Sequence, residues 1–255
     1  NSYTVGDVVK HNNEIYVANV THKNLAAGIN KLGSKDGVDE NNFVPSRWDL
    51  IKDRIYFTNV AHTSSTLFKT DYDILKSKLD KGKNLNNEML VKIGESLTRN
   101  QLIVNHYVKN RDKFGPTLVF ATSINHCEAL VDRFKKYQDI NCASIHSEVD
   151  ENVRTHVLND FKAGNLDVLV NVNMLTEGVD LPNAKTAFLT RPTNSEALLR
   201  QMVGRVLRGL SSKGTEIAYA VDFEDNWDRF SPISAGYLFK GEEHELEDKE
   251  YNSLP

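Results

Sequence analysis

The stretch Gln201-Met202-Val203-Gly204-Arg205-Val206-Leu207-Arg208-Gly209 holds the residues best suited to chemistry. On a helix at about 100° per residue, Gln201, Arg205 and Arg208 stand at i, i+4 and i+7 and share one stripe, with Gly204 beside them. Two guanidiniums aimed one way suit a polyphosphate, since each can make paired N–H contacts to an anion. A glycine inside a helix costs about 1 kcal/mol relative to alanine, so Gly204 points to a close approach at that backbone. Met202, Val203, Val206 and Leu207 fall on the opposite face and are expected to be buried. A solvated basic face is the alternative, and the internal glycine and adjacent glutamine weigh against it.

A second set of polar residues stands just past short apolar runs. Thr122-Ser123 follow TLVFA, His146-Ser147 follow CASI, Asn173 to Asp180 follow DVLVNV, and Arg191-Pro192-Thr193 follow TAFLT. If those runs are parallel strands, the residues line the carboxyl edge of a sheet, where open α/β folds bind their ligands. Hydroxyls and the N–H groups of helix starts suit phosphates. Any one of them also reads as a helix cap, but four such ends on one edge favour a site.

The elements that must carry these residues are legible after Pro116. Apolar runs at Thr117 to Ala121, Cys142 to His146, Asp167 to Asn173, Thr186 to Arg191 and Glu216 to Phe223 predict strands. Between them Ile124, Cys127, Leu130, Val131 and Phe134 mark one amphipathic helix. Val153, Val157, Leu158 and Phe161 mark another, stopped by Gly164. A third is expected from Asn194 to Arg208, opened by a capping box from Thr193 to Glu196 and closed by Gly209. Near-continuous apolar strands alternating with such helices predict an α/β domain, a parallel sheet with helices on both faces. Before Pro116, Met89, Leu90, Ile93, Leu97, Leu102, Ile103 and Tyr107 recur at helical intervals, so one broken or two consecutive helices are expected, ended by Gly115-Pro116.

Upstream the chain changes character. Residues 1–52 form a small β-rich module, with Val5, Val8, Val9 and then Ile15, Tyr16, Val17 around a turn at His11-Asn12-Asn13. A Gly- and Asn-rich stretch from Asn24 to Asn42 reads as a loop, and Phe43 to Ile51 as a closing strand. Residues 53–84 read as a linker or transitional segment, with short strands possible at Arg54 to Thr58 and Ser65 to Phe68. The α/β domain covers 85–225, and 226–255 is an acidic extension expected to be solvated.

The 255 residues carry 31 basic and 35 acidic side chains, a formal charge of −4, with 40% hydrophobic and 26% charged residues. That composition supports a packed core and excludes a wholly disordered chain. No run approaches the roughly 20 apolar residues of a membrane span, so a cytoplasmic protein with no membrane partner is expected. Cys127 and Cys142 lack zinc-site spacing and read as buried free thiols.

Three of these segments resemble a family. QMVGRVLRG is similar to the sixth motif, Gln-x-x-Gly-Arg-x-x-Arg, of superfamily two helicases and translocases. Asn171 to Pro182 resembles the fifth motif and Thr117 to Leu130 the fourth, in family order. The Leu-Thr-Glu-Gly-Val-Asp wording looks most like motor subunits of type I and III restriction enzymes and DNA-repair helicases. The resemblance implies a C-terminal RecA-like domain of an ATP-driven motor, with ATP and Mg2+ held mainly by an N-terminal RecA-like domain of the same protein. It implies Arg208 as an arginine finger with Arg205 as its partner, Gly178, Asp180 and Gln201 near the nucleotide, and Thr122, Ser123, His146, Ser147, Asn173 and Thr176 against a nucleic-acid backbone, duplex DNA by the wording of the fifth motif. It implies no metal ligands in this half.

The first segment resembles the small aromatic modules of chitin-binding domains and phage tail proteins, on Tyr3 to Val9, Glu14 to Ala18 and Pro45 to Ile51. In those families aromatic rings stack on sugars. Here Trp48 and Tyr16 equally serve as the core of a small sheet, and the core reading is preferred because so small a module has few other large side chains to bury.

No Gly-x-x-x-x-Gly-Lys-Ser/Thr and no Asp-Glu-x-His box occurs in the 255 residues. The expectation is therefore a part of a longer enzyme that does not hydrolyse ATP alone. The alternative is a non-catalytic binding or adaptor protein in which the β-module recognises a partner or glycan.

Overall fold

The computed structural model describes residues 85–175, 179–207, 217–223, 225 and 233–236 in full, and the backbone of residues 2–3, 8–11, 14–18, 22–23, 48–50, 55–61, 224 and 249–250. In the N-terminal module β1 (Ser2–Tyr3) pairs antiparallel with β4 (His22–Lys23). Strands β2 (Val8–His11), β3 (Glu14–Ala18) and β5 (Trp48–Leu50) form a three-stranded antiparallel sheet, with His11 opposite Glu14. The side chains of Tyr16 and Trp48, the stretch from Asn24 to Asn42 and Ser65 to Phe68 lie outside the described residues.

The larger sheet holds β6 (Ile55–Ala61), β7 (Thr117–Phe120), β8 (Cys142–Ile145), β9 (Val168–Asn171), β10 (Thr186–Leu189), β11 (Ala218–Glu224) and β12 (Lys249–Glu250). Their order is β12-β6-β11-β10-β7-β9-β8, and every pairing is parallel. Strand β6 overlaps the short strand expected at Arg54 to Thr58 and carries it on to Ala61, whereas β12 comes from a stretch read otherwise in the sequence. The backbone of Ile55–Ala61, inside the 53–84 stretch, runs along β11, and Lys249–Glu250, inside the acidic extension, pairs with Asn59 and Val60. The charged pair Lys249–Glu250 carries no apolar run that would betray a strand.

Strands β7, β9 and β10 are buried on both faces, which is why they read as unbroken apolar runs. Alternate residues feed two separate cores. Leu118, Phe120, Leu169, Ala187 and Leu189 pack on one face with Phe161 of α5 (Glu151–Ala163) and Leu199, Met202 and Val203 of α6 (Glu196–Gly204). Val119, Val170, Phe188 and Val221 pack on the other with Leu102, Ile103 and Tyr107 of α2 (Leu97–Lys109) and Cys127, Leu130 and Phe134 of α4 (Ile124–Phe134). Helices α1 (Asn87–Glu95) and α3 (Arg111–Phe114) flank α2, and Gly115 at φ 57 closes the series.

The connection out of β7 therefore goes to one face, through α4, and that out of β10 to the opposite face, through α6. Since β7 and β10 are neighbours, their carboxyl ends form the topological switch point, the place where such sheets open a ligand crevice.

Three local expectations are corrected. Leu97 is 69% exposed while Arg99 two residues on is 0% exposed, because Ser96 breaks the helical run: it caps α2 by accepting from Arg99 N–H at 3.3 Å and so resets the phase of the apolar stripe. Val153, placed on the core side of its helix, is exposed. The last helix begins at Glu196 and ends at Gly204, with Ser195 rather than Thr193 as its cap. Ser195 Oγ accepts from Leu198 N–H at 3.3 Å, while Thr193 Oγ1 accepts from Ser195 N–H at 3.0 Å and only leads the chain in. At the far end Arg205 N–H and Val206 N–H bond three residues back, a tightened turn that follows the permissive Gly204. Met202, Val203, Val206 and Leu207 are buried as the pattern predicts.

Candidate functional site

The carboxyl ends of the central strands are cross-tied by side chains. Asn171, the last residue of β9, is buried and donates through Nδ2 to Val119 O at 3.1 Å, while its carbonyl takes Ala121 N–H at 2.8 Å. Thr190, just past β10, donates its hydroxyl to Phe120 O at 2.8 Å. These bonds satisfy buried polar groups that water does not reach, and they hold three strand ends in one register.

Thr122 turns inward. Its N–H lies 3.1 Å and its hydroxyl 3.0 Å from Nδ1 of the fully buried His126. An Nδ1 that accepts a backbone N–H carries no proton, so the ring is the neutral tautomer with hydrogen on Nε2. Burial holds its pKa down to about 3, helped by the nearby Arg99 and opposed by Asp225. Ser123 caps α4, accepting from His126 N–H at 3.2 Å. Helix α1 lies close over this corner. A Cβ on Gly94 would stand 2.6 Å from His126 Cβ and 2.7 Å from Thr122 Oγ1, so only glycine fits there.

Beyond β8, His146 is buried and its carbonyl takes Val149 N–H at 3.2 Å, while Ser147 is exposed. Beyond β9, Asn173 is exposed with φ 57, and its Oδ1 accepts from Arg191 Nη1 at 2.8 Å. Asp180 is exposed, and Gln201 and Arg205 are half-buried. Arg205 follows the end of α6 and donates through Nη1 to Val179 O at 3.1 Å, which ties that helix end to the loop carrying Asp180. The helix expected to carry the stripe on from Gln201 ends at Gly204, so Arg205 stands just past it. Arg208, Gly178 and Thr176 lie outside the described residues.

Two acidic residues and an arginine were not signalled by the sequence pattern. Arg99 of α2 donates through Nε to both oxygens of Asp225, at 2.9 and 3.1 Å, and through Nη2 to Thr190 O at 2.9 Å. Asp222 in β11 accepts from Ala235 N–H at 2.8 Å and Ser234 Oγ at 3.3 Å, while Ile233 N–H donates to Thr193 O at 2.9 Å. The segment 233–235 is thereby pinned across the ends of β10 and β11. Arg99 stands between Thr98 and Asn100 with no spacing to mark it. Its partner, 126 residues on, was not inferable. Among the described residues no three His, Cys, Asp or Glu side chains come together as a metal site requires, and no helix is long and apolar enough to cross a membrane.

Residues 98–209 match the family described as the helicase conserved C-terminal domain. The chain is 35% identical over 126 residues to IRC3 of Saccharomyces cerevisiae, named as an ATP-dependent helicase, covering 49% of this chain and 18% of that protein. It is 30% identical over 179 residues to irc3 of Schizosaccharomyces pombe, named as a mitochondrial ATP-dependent helicase, covering 69% of this chain and 29% of that one. With UvrABC system protein B of Thermosipho africanus it shares 35% identity over 123 residues, 46% of this chain and 18% of the relative. The chain thus spans less than a third of the length of these relatives. With its all-parallel sheet, opposed helical layers and switch point between β7 and β10, the α/β part of this chain has the RecA-like fold, and residues 98–209 within it match the helicase conserved C-terminal domain.

Proposed function

We propose that this chain is the C-terminal half of an ATP-dependent helicase or translocase acting on nucleic acid, with duplex DNA as its track in a restriction or repair setting. The observation that carries the reading is the contact of Arg205 with Val179 O. It fastens the arginine after α6 to the loop bearing Asp180, the arrangement needed to present a cation to a nucleotide held by another domain. Arg205, Arg208, Gln201, Gly178 and Asp180 are assigned to the nucleotide side. Ser123, Ser147, Asn173 and Thr176 are assigned to the nucleic-acid strand, together with Thr122 and His146, whose burial suits support of that edge.

ATP supplies the free energy, and the 255 residues carry neither a Gly-x-x-x-x-Gly-Lys-Ser/Thr cradle nor an Asp-Glu-x-His box. On this reading the phosphates and Mg2+ are held by an N-terminal RecA-like domain of the same protein, and the present chain alone is inactive in hydrolysis. The division into a β-module at 1–52, a connecting stretch at 53–84, the motor half at 85–225 and an acidic extension belongs to the same proposal. A cytoplasmic setting is in keeping with the free thiols Cys127 and Cys142.

The test is DNA-stimulated ATP turnover of the full-length enzyme. Arg205→Ala and Arg208→Ala are each expected to lower turnover by about 10³-fold, the usual effect of losing an arginine finger, with the fold retained. Unchanged turnover in both variants removes the assignment. Arg208-dependent hydrolysis by the isolated 255-residue chain removes the dependence on another domain.

A further inference from the structure

We propose that Arg191 grips a phosphate of the bound nucleic-acid strand, a role that rests on this chain being a nucleic-acid binder. Arg191 follows β10 at the switch point and reaches over the end of β7 to Asn173, which follows β9. That span is two strand spacings, about 10 Å. Asn173 meets it in the left-handed region, which asparagine tolerates better than most residues. The pair therefore forms a bar across the crevice mouth.

Several arginines of the α/β part already face carboxylates. Arg99 faces Asp225, Arg111 faces Asp139 and Asp167, and Arg200 faces Glu196. Arg191 is half-buried and, among the described residues, its bond to the Asn173 amide is matched by no carboxylate. A partly desolvated cation without a counter-charge is costly, and an arriving anion removes that cost. With Nη1 committed to Asn173, the Nε–Nη2 edge keeps two parallel N–H groups that meet no acceptor among the described residues. Two such donors match two oxygens of a phosphodiester.

The backbone on either side is fixed beforehand. Thr190 is held through its carbonyl by Arg99 and through its hydroxyl to Phe120, and Thr193 O holds Ile233. Little conformational freedom is left to lose when the phosphate docks.

The test is binding of the 255-residue chain to fluorescein-labelled single-stranded and duplex oligonucleotides, read by anisotropy across a sodium chloride series. Arg191→Gln is expected to weaken binding equally for different sequences and to make the plot of log K against log salt shallower by about 0.7 to 0.9, the share of one phosphate. Arg191→Lys keeps the charge and is expected to keep the slope. A wild-type slope in Arg191→Gln overturns the inference, as does an equal loss in the Gln and Lys variants, which marks a packing role. Failure of the wild-type chain to bind either oligonucleotide overturns the nucleic-acid reading itself, and this inference with it.

Discussion

Arg99 and Asp225 form a fully buried ion pair, with Nε 2.9 and 3.1 Å from the two carboxylate oxygens. The same guanidinium holds the carbonyl of Thr190, so one side chain joins α2, the end of β10 and the residue after β11. Taking away one partner leaves a buried charge uncompensated, which costs about 3 to 5 kcal/mol. Arg99→Met and Asp225→Leu are each expected to lower stability by that order in urea melts. The double substitution Arg99→Met with Asp225→Leu should recover much of the loss. A double variant as unstable as the sum of the singles would show that the two residues act separately.

Gly94 gives a steric counterpart. Its added Cβ meets His126 Cβ and Thr122 Oγ1 well inside contact distance, and the first of these is no flexible side-chain end. Gly94→Ala, which in an open helix would stabilise, is expected here to destabilise by about 1 to 3 kcal/mol, as overpacking does. Pairing it with His126→Ala should restore part of that. A Gly94→Ala protein more stable than wild type would mean that α1 does not press on this corner.

The buried histidines set a pH dependence. His106 lies among Phe114, Phe188 and Phe223, with ring centroids at 5.4, 6.0 and 6.1 Å, and burial aided by Lys113 and Lys109 holds its pKa to about 4. His126 is held to about 3, first by burial. In the unfolded chain both titrate near 6.5. As pH falls below about 6.5 the unfolded state takes up protons that the folded state refuses. Stability is therefore full above that pH and declines toward pH 4, by about 1.4 kcal/mol per pH unit for each ring. Chemical denaturation between pH 7.5 and 4.5 should show this slope, and His106→Leu should halve it. An unaltered slope in that variant would assign the pH dependence elsewhere.

How far these features could be read in the sequence depends on how local they are. The strands β7, β9 and β10 announce themselves because each residue is buried whichever way it points, and Gly164 at φ 81 marks the end of α5 by local chemistry. Arg205 was expected on one helix with Gln201, but that helix ends at Gly204, a boundary the spacing alone does not mark. Thr193 and Ser195 were confused because both have hydroxyls two residues apart, and only the bonds to Ser195 N–H and Leu198 N–H tell a lead-in from a cap. Leu97 was misplaced because a stripe was carried through a break at Ser96. Arg99 with Asp225, and Arg191 with Asn173, depend on topology, since each joins elements that meet only after the sheet is assembled.

The parallel pairing of β6 with β11 bears on how the chain acquires its shape. Ile55 registers with Ala218, so that seam closes only after nearly the whole α/β region has been made. Contacts of such long span form slowly. Until they do, the backbone of Ala218–Glu224 presents an open edge, a template for pairing with other chains. A piece cut at residue 85 would keep that edge bare permanently, so the strand from Ile55 to Ala61 also serves as a guard against aggregation.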